Sequence, residues 1–196
     1  MSNVRRHAHT LMQSADKANN AIGALFLSIF GAVWLVGWYF NTPGVSPAVL
    51  IAIALVAVIL SVFAVRLFIH NRLAYAVFRK TADGKRSSMA LGIINTAQWV
   101  FIFALAALLP QSQAHWFLPA VILVVGAHFV PLASAISYRP YYLTAVALFT
   151  VAGLHVWLAS NTSLSAIGAL GAGLTLWLTA LGQMLSKLPL PAKQAS

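Results

Sequence analysis

Six apolar runs of similar length, separated by short polar or proline-containing stretches, organise this chain from end to end. The first covers about residues 21–40 and stops at Asn41-Thr42-Pro43-Gly44. The second, about 47–69, opens on Pro47, a residue suited to the first turn of a helix. The others cover about 89–109, 116–137, 141–159 and 164–185. Runs of about 19–23 residues, at 1.5 Å of helix per residue, cross a hydrocarbon core of roughly 30 Å. The pattern predicts an all-α integral membrane protein, a compact bundle of six transmembrane helices. Residues 1–20 read as a polar, basic tail, 71–88 as a basic loop and 186–196 as a second tail.

Composition agrees with lipid as the solvent. Of 196 residues, 61% are hydrophobic and only 7% are charged, where a soluble domain carries roughly 25% charged residues. The polar first twenty residues, and the five further apolar runs, make the first run a retained helix and not a cleaved leader.

Charge then sets the orientation. Arg5, Arg6 and Lys17 precede the first span, and Arg66, Arg72, Arg79, Lys80, Lys85 and Arg86 lie at or between the facing ends of the second and third. Arg139 falls between the fourth and fifth, and Lys187 and Lys193 follow the sixth. The links 41–46, 110–115 and 160–163 contain no Lys or Arg. The positive-inside rule therefore predicts both termini and every basic loop in the cytoplasm, in a bacterial cytoplasmic membrane. Trp38, Trp116 and Trp157 fall near the predicted outer boundary and Tyr138, Tyr141 and Tyr142 near the inner one, as interfacial aromatics do. The net charge of +10 is confined to span ends and loops, which argues against nucleic acid and for anionic lipid headgroups as the partner. The three basic-free links are short enough to make their flanking helices antiparallel neighbours. The 71–88 stretch reads as a solvated basic loop, with a short surface helix as the alternative.

Two groups of three spans would have opposite orientation, the arithmetic of an inverted repeat. Residues 21–40 and 116–137 nevertheless share little beyond being apolar.

Candidate chemistry rests on a few uncharged polar residues. The acids are Asp16 and Asp83, both outside the spans, and there is no Cys. Ionisable groups within spans are expensive and mark function, so His128 in the fourth span is the foremost candidate. Pro131, one turn on, removes an N–H and leaves the Ala127 carbonyl to find another partner. Asn95 and Gln98 share a face of the third span at a depth similar to His128, with Trp99 beside them as a possible wall. Gly168, Ala172, Thr175, Thr179 and Gln183 form a stripe on the sixth span, suited to close helix packing or to lining a path. Arg66, His70 and Arg139, with Lys187, could ring a cytoplasmic mouth favouring an anion or a headgroup. His115 and His155 lie near the outer ends of their spans but match no metal-ligand spacing.

Glycine-rich nucleotide loops, HExxH, GxSxG and paired carboxylates are missing from the sequence. It names no cofactor and reads as a non-enzyme. The expectation is small-solute transport or permeation, with spans three, four and six around His128, Asn95 and Gln98, and a homodimer completing the path. The alternatives are a structural, sensory or partner-binding membrane protein and a cofactor- or lipid-dependent enzyme.

Overall fold

The six apolar runs become six long helices in the computed structural model, which describes residues 2–136, 138–159 and 166–185. These are α1 (Ser2–Phe40), α2 (Pro47–Arg79), α3 (Ala82–Leu108), α4 (Phe117–Ala135), α5 (Pro140–Ala159) and α6 (Ile167–Leu185). A 3-10 turn, Gln111–Trp116, precedes α4. Each helix is long and apolar enough to span a membrane, so the chain is an integral, multi-pass all-α protein. Among the described residues there is no strand. Several expectations lie outside the described residues: the end of span four at Ser137, the 160–163 link, the start of span six, Lys187, Lys193 and the 186–196 tail. The side chains of Arg5, Arg6, His7 and His9 also lie outside them.

The 71–88 segment differs from its expected form as a loop. It is helical except at Lys80 and Thr81. Thr81 caps α3, its hydroxyl accepting from the Gly84 N–H at 3.1 Å and donating to the Phe78 carbonyl at 2.7 Å. Gly84 lies so close to that same carbonyl that a side chain has no room there. Asp83 in the first turn suits the helix dipole. The residues around this cap, rich in Arg, Lys and Ala, are good helix formers, so two residues suffice for the reversal. The polar segment before the first span is likewise helical, as the first half of α1.

α1 is the most enclosed of the three long helices. Ala15, Ala18, Ala21, Ala24, Ser28 and Gly31 repeat at three- and four-residue steps and are buried. Small residues let backbones approach closely, which is how helices associate in lipid. α2 packs along one side of this stripe and α6 along the other. At Gly31 the α1 backbone meets the Trp177 ring, and an added Cβ would lie 3.1 Å from the Gly173 carbonyl. Trp177 Nε1 donates to the Ser28 carbonyl at 2.9 Å. α5 lies against α6 and α4, and Gly126 admits the Phe149 ring. The links predicted to join antiparallel neighbours do so for α1–α2 and α3–α4, and α5 and α6 are neighbours as well.

α3 is held differently. Gly84 is its buried residue. It runs antiparallel to α4 and touches α2 only slightly. Ser87 Oγ donates to the Ala135 carbonyl at 3.3 Å, and seven residues on, the Ile94 backbone approaches the His128 ring. A seven-residue step on both helices is the register of a shallow antiparallel crossing. Near the far end of the seam Phe30 of α1 meets Trp99 of α3, ring centroids 6.2 Å apart.

Candidate functional site

His128 occupies the border between the packed and open sides of α4. Val121, Val125, Phe129 and Leu132 turn inward and are buried, while Ala127, Val130 and Pro131 are exposed. His128 is half-buried between them, under α3. Its Nδ1 is buried with no hydrogen-bond partner among the described residues. A buried polar nitrogen left open in this way carries a desolvation cost that a hydrogen-bonding ligand would relieve.

The structure does not gather the other expected members of this centre around the ring. Asn95 is exposed and Gln98 half-buried, and no hydrogen bond joins either to His128 among the described residues. Trp99 is 44% exposed and stacks on Phe103 of its own helix as well as meeting Phe30. Pro131 lies on the outer surface of a helix that continues to Ala135. α6 lies between α1 and α5, away from α3, so spans three, four and six do not enclose a common centre.

The α6 stripe is a packing face. Gly168, Ala172 and Gln183 are buried, and Thr175 and Thr179 are half-buried. Thr175 and Thr179 donate to the Gly171 and Thr175 carbonyls one turn back, both at 2.8 Å. The Thr179 hydroxyl also meets that of Thr144 on α5 at 2.9 Å.

A second polar cluster went unread in the sequence. Tyr141 at the start of α5 and Gln183 at the end of α6 are each 1% exposed, and Gln183 Nε2 donates to Tyr141 Oη at 2.6 Å. Gly23 of α1 faces both: a Cβ there would lie 2.9 Å from Tyr141 Oη and 3.1 Å from Gln183 Nε2. The Tyr141 ring stacks edge-on against Phe129 and Tyr138, with centroids 5.0 Å and 5.1 Å away. Asn20, one turn before Gly23, is buried with its Nδ2 unpartnered among the described residues. Tyr141 had read only as an interfacial aromatic and Asn20 as part of a tail. The available signal was that Asn20, Gly23 and Gln183 stand at the same end of their helices. The packing is close, so the cluster acts as a latch between α1, α5 and α6.

Towards the opposite end, His155 of α5 is buried against Gly168 of α6, its Nδ1 unpartnered among the described residues. His115 is exposed beside Trp116, ring centroids 5.4 Å apart. No group of three His, Cys, Asp or Glu able to hold a metal occurs among the described residues. Arg66, His70 and Arg139 are all exposed. An open cleft of about 460 Å³ lies at the basic-free end, between Trp34 and Gly37 of α1, Leu118 and Ala169. A shallower groove runs along the open face of α3, from Met89 and Gly92 to Phe101. Compared with protein families, with curated proteins and with solved structures, the chain finds no match in any of the three.

Proposed function

We propose that the protein transports or admits a small neutral or anionic solute, and that the α3–α4 seam at His128 is its gate. The observation that carries this reading is the partner-free, buried Nδ1 of His128 beneath the least buried helix of the bundle. α1, α4, α5 and α6 form the fixed body, and movement of α3 exposes the imidazole to solute. A second copy set against the open groove of α3 would complete the path. No bond-making step is assigned to any residue. This reading takes both termini as cytoplasmic in a bacterial cell, with Arg66 and His70 at the level of anionic headgroups, and the basic ends of the spans support it.

The test is proteoliposome swelling under gradients of urea, glycerol and nitrate. Wild-type protein should raise the rate for at least one of the three, and His128→Ala should return it to that of empty liposomes with an unchanged elution volume. Equal rates for wild type and variant, or no rate above background with any of the three, overturn the reading. Orientation is checked in cells: an impermeant thiol reagent should label Ser112→Cys and leave Ser88→Cys unlabelled.

A second reading, a partner-binding membrane protein without transport, is favoured by three interior polar contacts that join helices. Tyr141 with Gln183, Thr144 with Thr179, and Trp177 with the Ser28 carbonyl hold helices together. Absence of flux with all three solutes would select it.

A further inference from the structure

The basic end of the bundle extends well past the membrane. α2 has 33 residues, about 50 Å of helix, of which a hydrocarbon core takes about 30 Å. With Pro47 at the far boundary, and allowing for ordinary tilt, Arg79 stands about 15 Å beyond the hydrocarbon. The headgroup layer on one side is only about 5–8 Å deep. The tip of the α2–α3 hairpin is therefore in water, clear of its own lipid.

This extension is built, not loose. Ala15 and Ala18 of α1 and Asn71 of α2 are buried within it, and Asn71 Nδ2 donates to the Leu67 carbonyl at 2.8 Å. The Thr81 cap and the close approach at Gly84 fix the reversal.

One face of α2 carries a distinct pattern through this region. Arg66, His70, Leu73 and Val77 follow one another at steps of four, three and four, which keeps them on one side of the helix, and Lys80 caps its end. All five are exposed. Leu73 is 78% and Val77 59% exposed, an apolar pair one turn apart in the part of the helix that has left the hydrocarbon. Arg72, Arg79, Lys85 and Arg86 flank it, also exposed, against Asp83 of α3 and Asp16 of α1.

We infer that this face of the α2–α3 tip docks an acidic amphipathic helix of a soluble protein partner. Two apolar positions at i and i+4 offer the apolar face of such a helix a side-by-side contact between helices. The surrounding Lys and Arg select its acidic face and speed its approach. The rigid hairpin keeps the ordering cost of binding low. The inference is independent of whether the bundle transports a solute.

The test uses full-length protein in phosphatidylcholine nanodiscs. The chain has no Cys, so Val77→Cys can carry a single nitroxide. That label should be reached by a water-soluble nickel chelate more readily than by oxygen. Greater access to oxygen would put Val77 in lipid and overturn the proposal. The binding probe is a fluorescent 14-residue helix-forming peptide, on the order of one small recognition helix, with Glu on one face and Leu on the other. It should bind saturably, and its Lys-for-Glu counterpart should not. Leu73→Ser with Val77→Ser, and separately Arg79→Gln with Lys80→Gln, should each weaken binding at least about tenfold, a difference in scale with loss of an anchor pair. These are exposed positions, and an unchanged elution profile confirms folding. No binding by wild type, binding unaltered in both variants, or equal binding of the two peptides refutes the inference. Protection of the label only in nanodiscs containing phosphatidylserine would assign the face to lipid and refute it equally.

Discussion

The closest approach between α1 and α6 makes a sharp prediction at Gly31. In Gly31→Ala the new methyl would lie 2.8 Å from Trp177 Nε1 and 3.1 Å from the Gly173 carbonyl, with a still closer approach to the indole ring. The carbonyl belongs to a buried helix backbone and cannot turn away. Trp177 can shift, but its Nε1 then leaves the Ser28 carbonyl, now at 2.9 Å. Overpacking of a close-packed interior costs about 1–3 kcal/mol. An interhelical hydrogen bond in lipid is worth about 0.6–1.7 kcal/mol. Together they give a loss of about 1.6–4.7 kcal/mol for one methyl group. Unfolding by sodium dodecyl sulfate in mixed micelles, followed by tryptophan fluorescence and circular dichroism, measures it. Trp177→Phe alone should cost only about 0.6–1.7 kcal/mol, the hydrogen bond. Trp177→Ala in the Gly31→Ala background should cost less than it does in the wild type, because the clash has gone. A cost below about 0.5 kcal/mol for Gly31→Ala, the range of an uninvolved surface site, would refute the packing argument. So would strict additivity of the two substitutions.

Tyr141→Phe should lose about 1–3 kcal/mol by the same assay, because it removes the acceptor of a buried 2.6 Å hydrogen bond from Gln183. Tyr141→Phe combined with Gln183→Met should recover part of that loss. Gly84→Ala should destabilise by about 1–3 kcal/mol, since its methyl would strike the backbone of the preceding turn. Gly92→Ala, where a methyl meets open space, should leave stability unchanged or raise it by up to about 1 kcal/mol.

What was legible in the sequence was what lipid dictates. Where the residues are described, the apolar ends of the helices lie within a few residues of the runs, because backbone groups in hydrocarbon have few alternatives to a helix. The polar ends were harder. Hydropathy marks where lipid ends, not where a helix does, so α1 and α2 continue beyond their apolar runs, and the expected 71–88 loop is two helix ends joined at Lys80 and Thr81. The site was only partly visible. Depth along a helix can be counted from a sequence, and Ile94 does stand level with His128. Direction around the helix cannot be counted when apolar residues cover every side of it, as they do on α3. Asn95 therefore came out exposed, where matched depth alone had suggested an inward position. The Tyr141–Gln183 latch depends on α1 packing against α6 at Gly23, a fact of topology that no local pattern carries.

The central claim is that solute passes where α3 parts from α4 at His128. It is tested most directly by fastening that seam. Ser87 Oγ reaches the Ala135 carbonyl across it at 3.3 Å, so Ser87→Cys with Ala135→Cys is the pair to oxidise in an otherwise Cys-free chain. In proteoliposomes, the account predicts that solute flux falls to background on oxidation and returns on reduction, while each single variant transports at the wild-type rate. Full flux through the oxidised, cross-linked protein would contradict it.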